Sequence, residues 1–430
     1  MFHDSVRVPE EAGLGTAKVR LSFDAWKTGQ VAPATLTVPV VEPKAKPKTA
    51  ERRPRPEPKV ADSKELRQTL RHDGYISGLA YTPDGRLLAM LDNNKKGGDT
   101  GVHLWDTMTG QKRSTFPLPS RNSEAFTLRI DPAGKMLAIA TREVKMRTDD
   151  PNLYEGWRAW GVTVWDIATG KEKATFREEQ PGSAAILAFD GDSLLVTHQE
   201  GEPWKKRPQP SRVMRLDLAS GKRTSLYESK DRECGVAAVS PDGRSALLIL
   251  RPSTKTVTTD VRLLDLKTGQ TRPLWETRGA VLSAGTFAPD GKTAAVFLWN
   301  KLRFWDVATG RERTELSERY GAFWKRPDNE RLGGITAMRF SPDGKLLAVA
   351  HEVFDIPSRQ NITEIVLWDL AASEARTTLR GHTGYVSQMA FAPDGRTLAT
   401  GGSNKMVKLW NISSPASGTT NRSAGQTKQP

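Results

Sequence analysis

An internal repeat that occurs seven times constrains the fold of this chain more than any other feature of its sequence. One half of the repeat unit is a short apolar segment, a Pro-Asp-Gly turn or a variant of it, and a second apolar segment. Its versions are YTPDGRLLAM, IDPAGKMLAI, AFDGDSLLV, VSPDGRSALL, FAPDGKTAAV, FSPDGKLLAV and FAPDGRTLAT. Self-similarity of this kind indicates a repeat architecture, in which each unit buries its apolar faces against its neighbours.

The other half of each unit ends an apolar segment in Trp-Asp or in a relic of that dipeptide. Its versions are VHLWDTMTG, VTVWDIATG, VMRLDLASG, VRLLDLKTG, LRFWDVATG, IVLWDLAAS and VKLWNISS. Proline fixes φ at the first turn position, and Asp-Gly or Thr-Gly supplies the bend and the positive φ that follows. The flanking segments are rich in Val, Leu, Ile, Phe and Thr, which predicts four short strands per unit.

A single four-stranded sheet cannot bury both of its faces, so the repeat predicts an all-β ring of stacked sheets, a seven-bladed β-propeller. The sequence resembles the WD-repeat (tryptophan-aspartate repeat) family over about residues 65–413. The dipeptides that carry this resemblance are Trp105-Asp106, Trp165-Asp166, Trp305-Asp306, Trp368-Asp369, Trp410-Asn411 and Gly381-His382.

The sequence also predicts how the ring closes. The last repeat stops near Ser413 with only three strands, so it lacks its outer fourth strand. The segment ELRQTLRHDGYISGLAY at 65–81 matches EARTTLRGHTGYVSQMAF at 374–391 almost position by position. We therefore expect the N-terminal strand, about residues 65–71, to pair into the last blade and close the ring.

The resemblance implies a hydrogen-bonded structural network of His, Ser or Thr, Asp and Trp within a blade. Only the last blade has a matching set, with Asn in place of Asp: His382, Thr400, Asn404 and Trp410. His72 occurs in the first repeat without a clear set of partners. Partly satisfied polar networks reduce stability, so this degradation predicts irregular blades rather than a different fold.

The two ends of the chain differ from the repeat in composition. Residues 1–42 contain two alternating segments that predict a β-hairpin. Two strands alone are marginal in water, so either this hairpin docks on the propeller or, as we favour, it is the C-terminal remnant of a β-sandwich domain whose start lies upstream. Residues 43–64 form a Pro/Lys/Arg-rich linker, and residues 414–430 predict a disordered tail.

The net charge of +14 is concentrated in the linker region, because residues 43–71 hold ten Lys and Arg against four Asp and Glu. The ring itself is only mildly basic, which disfavours nucleic acid as the partner, although a linker that tethers the chain to nucleic acid stays an alternative. The sequence has no apolar run that would span a bilayer and no signal sequence at its start. It predicts a cytoplasmic protein, or a periplasmic or extracellular one if the natural chain begins upstream with a signal sequence.

Residues suited to catalysis are scattered. Cys234 is the single cysteine and is expected to be a buried, inert thiol. The histidines do not have metal-ligand spacing; they occur at positions 3, 72, 103, 198, 351 and 382. The sequence has no phosphate-binding glycine loop and no nucleophile elbow. We therefore predict no catalytic residue, no metal and no cofactor.

Loop lengths differ between the two faces of the predicted ring. The turns inside the two hairpins of each unit are tight and lie on one face, the lower face. The remaining connections lie on the opposite, upper face and carry all the large insertions: residues 142–160, 199–212, 251–260, 318–334 and 352–364. Binding residues concentrate in loops on rigid scaffolds, so the upper face is the predicted binding surface.

Three of these insertions place aromatic residues next to basic ones. The predicted partner-binding residues are Trp157, Arg158, Trp160, Trp204, Lys206, Arg207, Phe323, Trp324, Lys325 and Arg326. Trp and Arg are enriched at interface hot spots, so we predict a monomeric, non-catalytic scaffold that binds protein partners with an acidic surface. In the competing interpretation these tryptophans pack internally or plug the channel. A second alternative is a propeller that binds a small ligand at the channel mouth, with hydrolase-like or lyase-like chemistry.

Overall fold

The computed structural model describes residues 15–21, 34–40, 64–72, 74–93, 100–120, 122–146, 154–201, 210–230, 232–251, 258–278, 284–298, 301–313, 330–355 and 360–413. The chain divides into two compact units, Met1–Glu57 and Pro58–Pro430. Strands are the regular elements of the described residues in both units.

The N-terminal unit contains one described pair of strands, β1 (Gly15–Leu21) and β2 (Ala34–Val40). They pair antiparallel from Gly15 opposite Val40 to Leu21 opposite Ala34. The origin of this hairpin in a larger sandwich stays a prediction. Most of the predicted linker and the whole predicted tail lie outside the described residues.

The larger unit is built from seven sheets, numbered as blades one to seven along the chain. The strands of blades one to three are β4 (Tyr75–Tyr81), β5 (Leu87–Asn93), β6 (Gly101–Asp106), β7 (Lys112–Pro117), β8 (Ser123–Ile130), β9 (Met136–Met146), β10 (Tyr154–Asp166), β11 (Glu172–Glu178), β12 (Gly182–Asp190), β13 (Ser193–Glu200), β14 (Ser211–Asp217) and β15 (Arg223–Ser229). The strands of blades four to seven are β16 (Cys234–Val239), β17 (Ser245–Leu250), β18 (Thr258–Asp265), β19 (Thr271–Arg278), β20 (Ala284–Phe287), β21 (Thr293–Leu298), β22 (Lys301–Asp306), β23 (Glu330–Phe340), β24 (Leu346–Asp355), β25 (Gln360–Asp369), β26 (Glu374–His382), β27 (Val386–Phe391), β28 (Thr397–Gly402) and β29 (Met406–Asn411), together with β3 (Leu66–Arg71) in blade seven.

Six of the sheets have four described strands and blade five has three. In blade five an isolated bridge between Trp305 and Glu312 lies where the fourth strand would begin. All pairings inside the blades are antiparallel, so the first and third turns of a blade lie on one face and the second turn on the other.

The lower-face turns show why the repeat has its sequence. In the first hairpin of blade one, Gly85 has a φ of +71° and its N–H donates to Thr82 O at 2.8 Å. In the second, the Asp106 carboxylate accepts from Thr109 N at 2.9 Å and from Arg113 Nη2 at 2.7 Å. The Arg113 bond, and then the Thr109 N–H, hold the pKa of Asp106 well below its usual range. The Asp of the Trp-Asp dipeptide therefore closes a turn, which is a structural role.

The ring closes in the predicted way. The first strands of successive blades contact one another around a central channel, including β27 of blade seven and β4 of blade one. Strand β3 pairs antiparallel with β29, with Leu70 opposite Val407 and Leu66 opposite Trp410. The N-terminal segment of the larger unit is thus the outer strand of the last blade, and the predicted closure is confirmed.

The apolar core lies between blades rather than inside one sheet. Seven clusters of buried side chains occupy the seven contacts between neighbouring blades. The cluster between blades seven and one contains Leu70 of the closing strand together with Ile76, Leu88 and Val407. Each blade is therefore stabilised by both neighbours, as expected when a single sheet cannot bury its own faces.

Candidate functional site

The long upper-face connections are partly continuations of blade strands. In blade two, β9 runs to Met146 and β10 resumes at Tyr154, so most of the insertion at 142–160 is an antiparallel hairpin rather than an irregular loop. In blade six, β24 and β25 extend in the same way to Asp355 and from Gln360. These hairpins satisfy their backbone hydrogen bonds in the ladder, so they can project from the blade as ordered structure.

Trp157, the first predicted interface residue, is buried and only 6% exposed. The Arg142 guanidinium lies 4.4 Å from the Trp157 ring and 4.2 Å from the Phe126 ring. It also donates to Glu124 Oε2 at 2.7 Å. Arg142 therefore holds the Trp157 indole inside the protein by cation–π contact, which is the internal packing that the competing interpretation expects.

Arg158, the next residue, faces solvent with 59% of its side chain exposed. Its guanidinium nitrogens lie 3.9 Å from Glu143 Oε1 and 3.6 Å from Glu179 Oε2. These separations are longer than a direct charged hydrogen bond, so the contacts are loose surface pairs. The exposed part of this hairpin is thus of mixed charge rather than purely basic.

Trp160, the third predicted residue of this hairpin, packs between blades two and three and is 4% exposed. Its ring centroid lies 4.4 Å from that of His198. A Cβ added to Gly182 would lie 3.1 Å from Trp160 Cδ1 and 3.0 Å from His198 Nε2. The absence of a side chain at Gly182 therefore lets the two rings approach.

A polar cleft of about 320 Å³ opens beside these rings. Its charged lining residues are Glu178, Glu200, Arg212, Arg223 and Glu228. Arg212 Nη2 lies 2.9 Å from Glu200 Oε1, and Arg223 pairs with Glu178. Two arginines face three glutamates in this lining, so most of the charges are matched and one negative charge is left in excess.

Burial, and then the charges of Arg212 and Arg223, lower the pKa of His198 to about 4. An unfolded chain binds this proton with a pKa of about 6.5, so between these values the unfolded state holds more protons. The free energy of unfolding must therefore fall as the pH decreases through this window.

We expect His198 to account for a loss of about 2 kcal/mol in the free energy of unfolding between pH 7.5 and pH 5. Urea unfolding of the wild type and of His198→Gln at both pH values measures it. The variant should lose correspondingly less stability on acidification. An equal loss in both proteins would show that His198 is not held neutral by its surroundings.

The other predicted partner-binding residues lie outside the described residues: Trp204, Lys206, Arg207, Phe323, Trp324, Lys325 and Arg326. Their role in binding stays a prediction. In blade two the structure brings Trp157, Arg158 and Trp160 together, but of these three only the Arg158 side chain is exposed to solvent.

The residues of the structural network predicted in blade seven lie within hydrogen-bond distance of one another. Trp410 Nε1 donates to Thr400 Oγ1 at 2.7 Å, and His382 Nε2 lies 2.8 Å from the same oxygen. Asn404 Nδ2 lies 3.1 Å from His382 Nδ1. In blade one, Met90 stands at the position of Thr400, and the buried Trp105 Nε1 makes no hydrogen bond within the described residues.

His72, Asp92 and His103 meet beside the closing strand, although their sequence spacing does not group them. Their potential ligand atoms lie within 4.8 Å of one another, which is the spacing of a metal site. Asp92 is fully buried, and its Oδ2 contacts His72 Nδ1. This contact is an ion pair only when the His72 imidazole is protonated. The alignment of His72 with His382 is the sequence signal that identifies this position.

Two segments of the chain match the model of a known protein family. The profile described as "WD40: WD domain, G-beta repeat" matches residues 64–106 and 373–411. The first match covers the closing strand β3 and the first three strands of blade one, and the second covers the outer strand of blade six and the first three strands of blade seven. The chain therefore contains WD repeats in these segments and is similar to the WD-repeat β-propeller family.

Curated WD-repeat relatives match over short segments. "Small ribosomal subunit protein RACK1y" of Oryza sativa is 31% identical over 80 residues, which are 19% of this chain and 22% of the relative. "Guanine nucleotide-binding protein subunit beta" of Schizosaccharomyces pombe is 35% identical over 79 residues, 18% of this chain and 23% of the relative. The chain thus spans less than a quarter of the length of these relatives.

A solved structure resembles the whole propeller. A chain of "Crystal Structure of Mitotic Checkpoint Complex" aligns with a TM-score of 0.56 at 15% identity, over 88% of this chain and 98% of that chain. At this identity the likeness concerns the fold alone. Among the residues that the structure describes there is no helix with the length and apolar character needed to span a bilayer.

Proposed function

We propose that this WD-repeat chain is a non-catalytic scaffold that binds protein partners through the upper face of its propeller. The observation that carries this proposal is the asymmetry of the two faces. The lower face has tight, hydrogen-bonded turns, whereas the hairpins of blades two and six project from the upper face. Ordered projections on a rigid ring are suited to recognition of another surface.

The related proteins support a role in assemblies. One relative is named as a small ribosomal subunit protein and another as a subunit of a guanine nucleotide-binding protein. The described residues that line the two channel cavities include no Asp, Glu or His, which supports binding over acid–base catalysis in these cavities.

The blade-two hairpin shows how a partner could be engaged. Arg158 is exposed and only loosely paired with Glu143 and Glu179. A partner carboxylate at normal hydrogen-bond distance would form a shorter and stronger contact with this guanidinium. The buried Trp157 beneath it keeps the hairpin rigid, which reduces the conformational entropy lost on binding.

The test is affinity capture from a lysate of the source organism with two matched variants. The upper-face variant carries Arg158→Glu, Lys206→Glu and Lys325→Glu. The control carries Arg86→Glu, Arg244→Glu and Lys345→Glu, which reverse the same amount of charge in the lower-face turns. Circular dichroism confirms that both variants fold.

We expect the upper-face variant to lose protein partners that the wild type and the lower-face control retain. Loss of these partners from the control alone would place the binding surface on the other face. Retention of every partner by both variants would contradict the proposed role of these basic residues.

A further inference from the structure

Two arginines, Arg129 and Arg339, line the central channel at a repeat position where the other five blades have small residues. The residue three before the turn proline, or its equivalent in blade three, lies on the first strand of every blade. In blade order these residues are Ala80, Arg129, Ala188, Ala238, Thr286, Arg339 and Ala390. All seven line one cavity of about 550 Å³. Five small side chains leave the space open, and the two arginines, from blades two and six, occupy part of it.

Among the described residues, backbone carbonyls are the groups that anchor the two guanidinium groups. Arg129 Nε donates to Leu187 O and its Nη1 to Leu128 O, both at 2.8 Å. Arg339 Nη1 donates to Met338 O at 2.7 Å. A guanidinium group has five N–H donors, so both arginines keep donors for a ligand. Within the described part of the chain, neither forms an ion pair with a carboxylate.

The charge of Arg339 is near enough to Arg129 to affect its pKa. Enclosure by the surrounding protein, and then the charge of Arg339, lower the pKa of Arg129 to about 10. Enclosure alone lowers the pKa of Arg339. Both groups therefore stay protonated at neutral pH. The Arg339 side chain lies inside the channel and is exposed to the water there, and the Arg129 side chain is half-buried. A dissolved ligand can therefore reach both side chains.

The rest of the described channel lining adds no unpaired negative charge. A second cavity of about 280 Å³ shares Arg339, Ala237 and Gly285 with the first and adds Arg251, whose guanidinium is paired with Glu233 at 3.1 Å. No acidic residue is among the described residues that line either cavity. Volumes of this size match those of small-molecule sites.

We propose that the channel binds a small phosphate-bearing molecule, such as a phosphate ester or a diphosphate, between Arg129 and Arg339. Two guanidinium groups carry two positive charges, which match a phosphate group that is close to a dianion at neutral pH better than a single carboxylate. Phosphate oxygens also accept the paired N–H donors of arginine in bidentate geometry. This site lies in the channel and does not depend on the upper-face scaffold function.

The test uses isothermal titration of the full chain with pyrophosphate and with inorganic phosphate, at constant ionic strength adjusted with sodium chloride. The variants are Arg129→Gln and Arg339→Gln. The control is Arg86→Gln, which removes the same charge from an exposed lower-face turn. The melting temperature of each ligand-free protein reports on folding.

We expect the wild type and Arg86→Gln to bind pyrophosphate alike, and each channel variant to bind it at least about tenfold more weakly, because a charged hydrogen-bonding group is lost. The ligand-free channel variants should melt no lower than the wild type, since each substitution removes an unneutralised charge. Equal pyrophosphate affinity in all four proteins, or no binding of either probe by the wild type, would overturn the proposal.

Discussion

A chain that lacks residues 1–72 is expected to lose its cooperative unfolding transition, whereas a chain that lacks only residues 1–57 is expected to keep it. The shorter deletion removes the N-terminal unit at its boundary. The longer deletion also removes β3, the outer strand of blade seven, and leaves the edge of β29 unpaired. An unpaired edge strand in an incomplete ring promotes aggregation.

The expected cost of losing β3 follows from its contacts. Leu70 is 4% exposed and belongs to the core between blades seven and one. Truncation of one such side chain, as in Leu70→Ala, costs about 2–5 kcal/mol. The deletion also removes the β3 backbone ladder and the bond from Asn411 N to Glu65 O at 2.7 Å. The total should exceed about 5 kcal/mol, which is comparable to the whole stability of many domains.

Urea unfolding followed by tryptophan fluorescence and far-UV circular dichroism measures this difference. Coincident transitions are expected for the full chain and for the shorter deletion. Leu70→Ala should lie between the two deletions in stability. If the longer deletion unfolded with the same midpoint as the shorter one, ring closure by β3 would not be a source of stability.

The repeat made the ring predictable because its signals are local. Each turn is defined by a few adjacent residues, such as the Thr82–Arg86 segment, and the same signal recurs in the other units. The closing strand was predictable for the same reason, since residues 65–71 repeat the sequence of an outer strand found elsewhere in the chain. No long-range contact had to be inferred independently of the repeat.

The upper face was less predictable because the exposure of a side chain there depends on strand register. Strict alternation along β10 would place Trp160 on the same side as Arg158. A register shift between Trp157 and Ala159 breaks that alternation, and both tryptophans become buried while Arg158 stays exposed. Composition indicates that such a hairpin can bind, but it does not indicate where a bulge occurs.

The channel arginines and the group around Asp92 could not be grouped from the sequence, because the folded ring is what brings their residues together. Arg129 and Arg339 are far apart in sequence, and each follows the alternating pattern of an ordinary strand. Their relation becomes visible only when the blades are superposed on one repeat position. His72, Asp92 and His103 come from the segment after β3 and from two strands of blade one, so only the closed ring brings them together.

Thr400→Val is expected to lower the free energy of unfolding by about 2–6 kcal/mol. The Thr400 hydroxyl accepts the indole N–H of Trp410 at 2.7 Å and lies 2.8 Å from His382 Nε2. All three residues are fully buried, and valine has almost the shape of threonine. The substitution therefore leaves two buried polar groups without their partner, each at a cost of about 1–3 kcal/mol, while apolar packing changes little.

The matched control is Thr378→Val on the outer strand β26 of blade six, where the side chain is half-buried. This control should change stability by less than about 1 kcal/mol, because partly exposed polar groups can hydrogen-bond to water. Urea unfolding of both variants at pH 7.5 gives the comparison. An equal effect of the two substitutions would mean that the network does not stabilise blade seven. A larger effect of Thr400→Val would show that blade seven, which holds the closing strand, is stabilised by a polar network that blade one has lost at Met90.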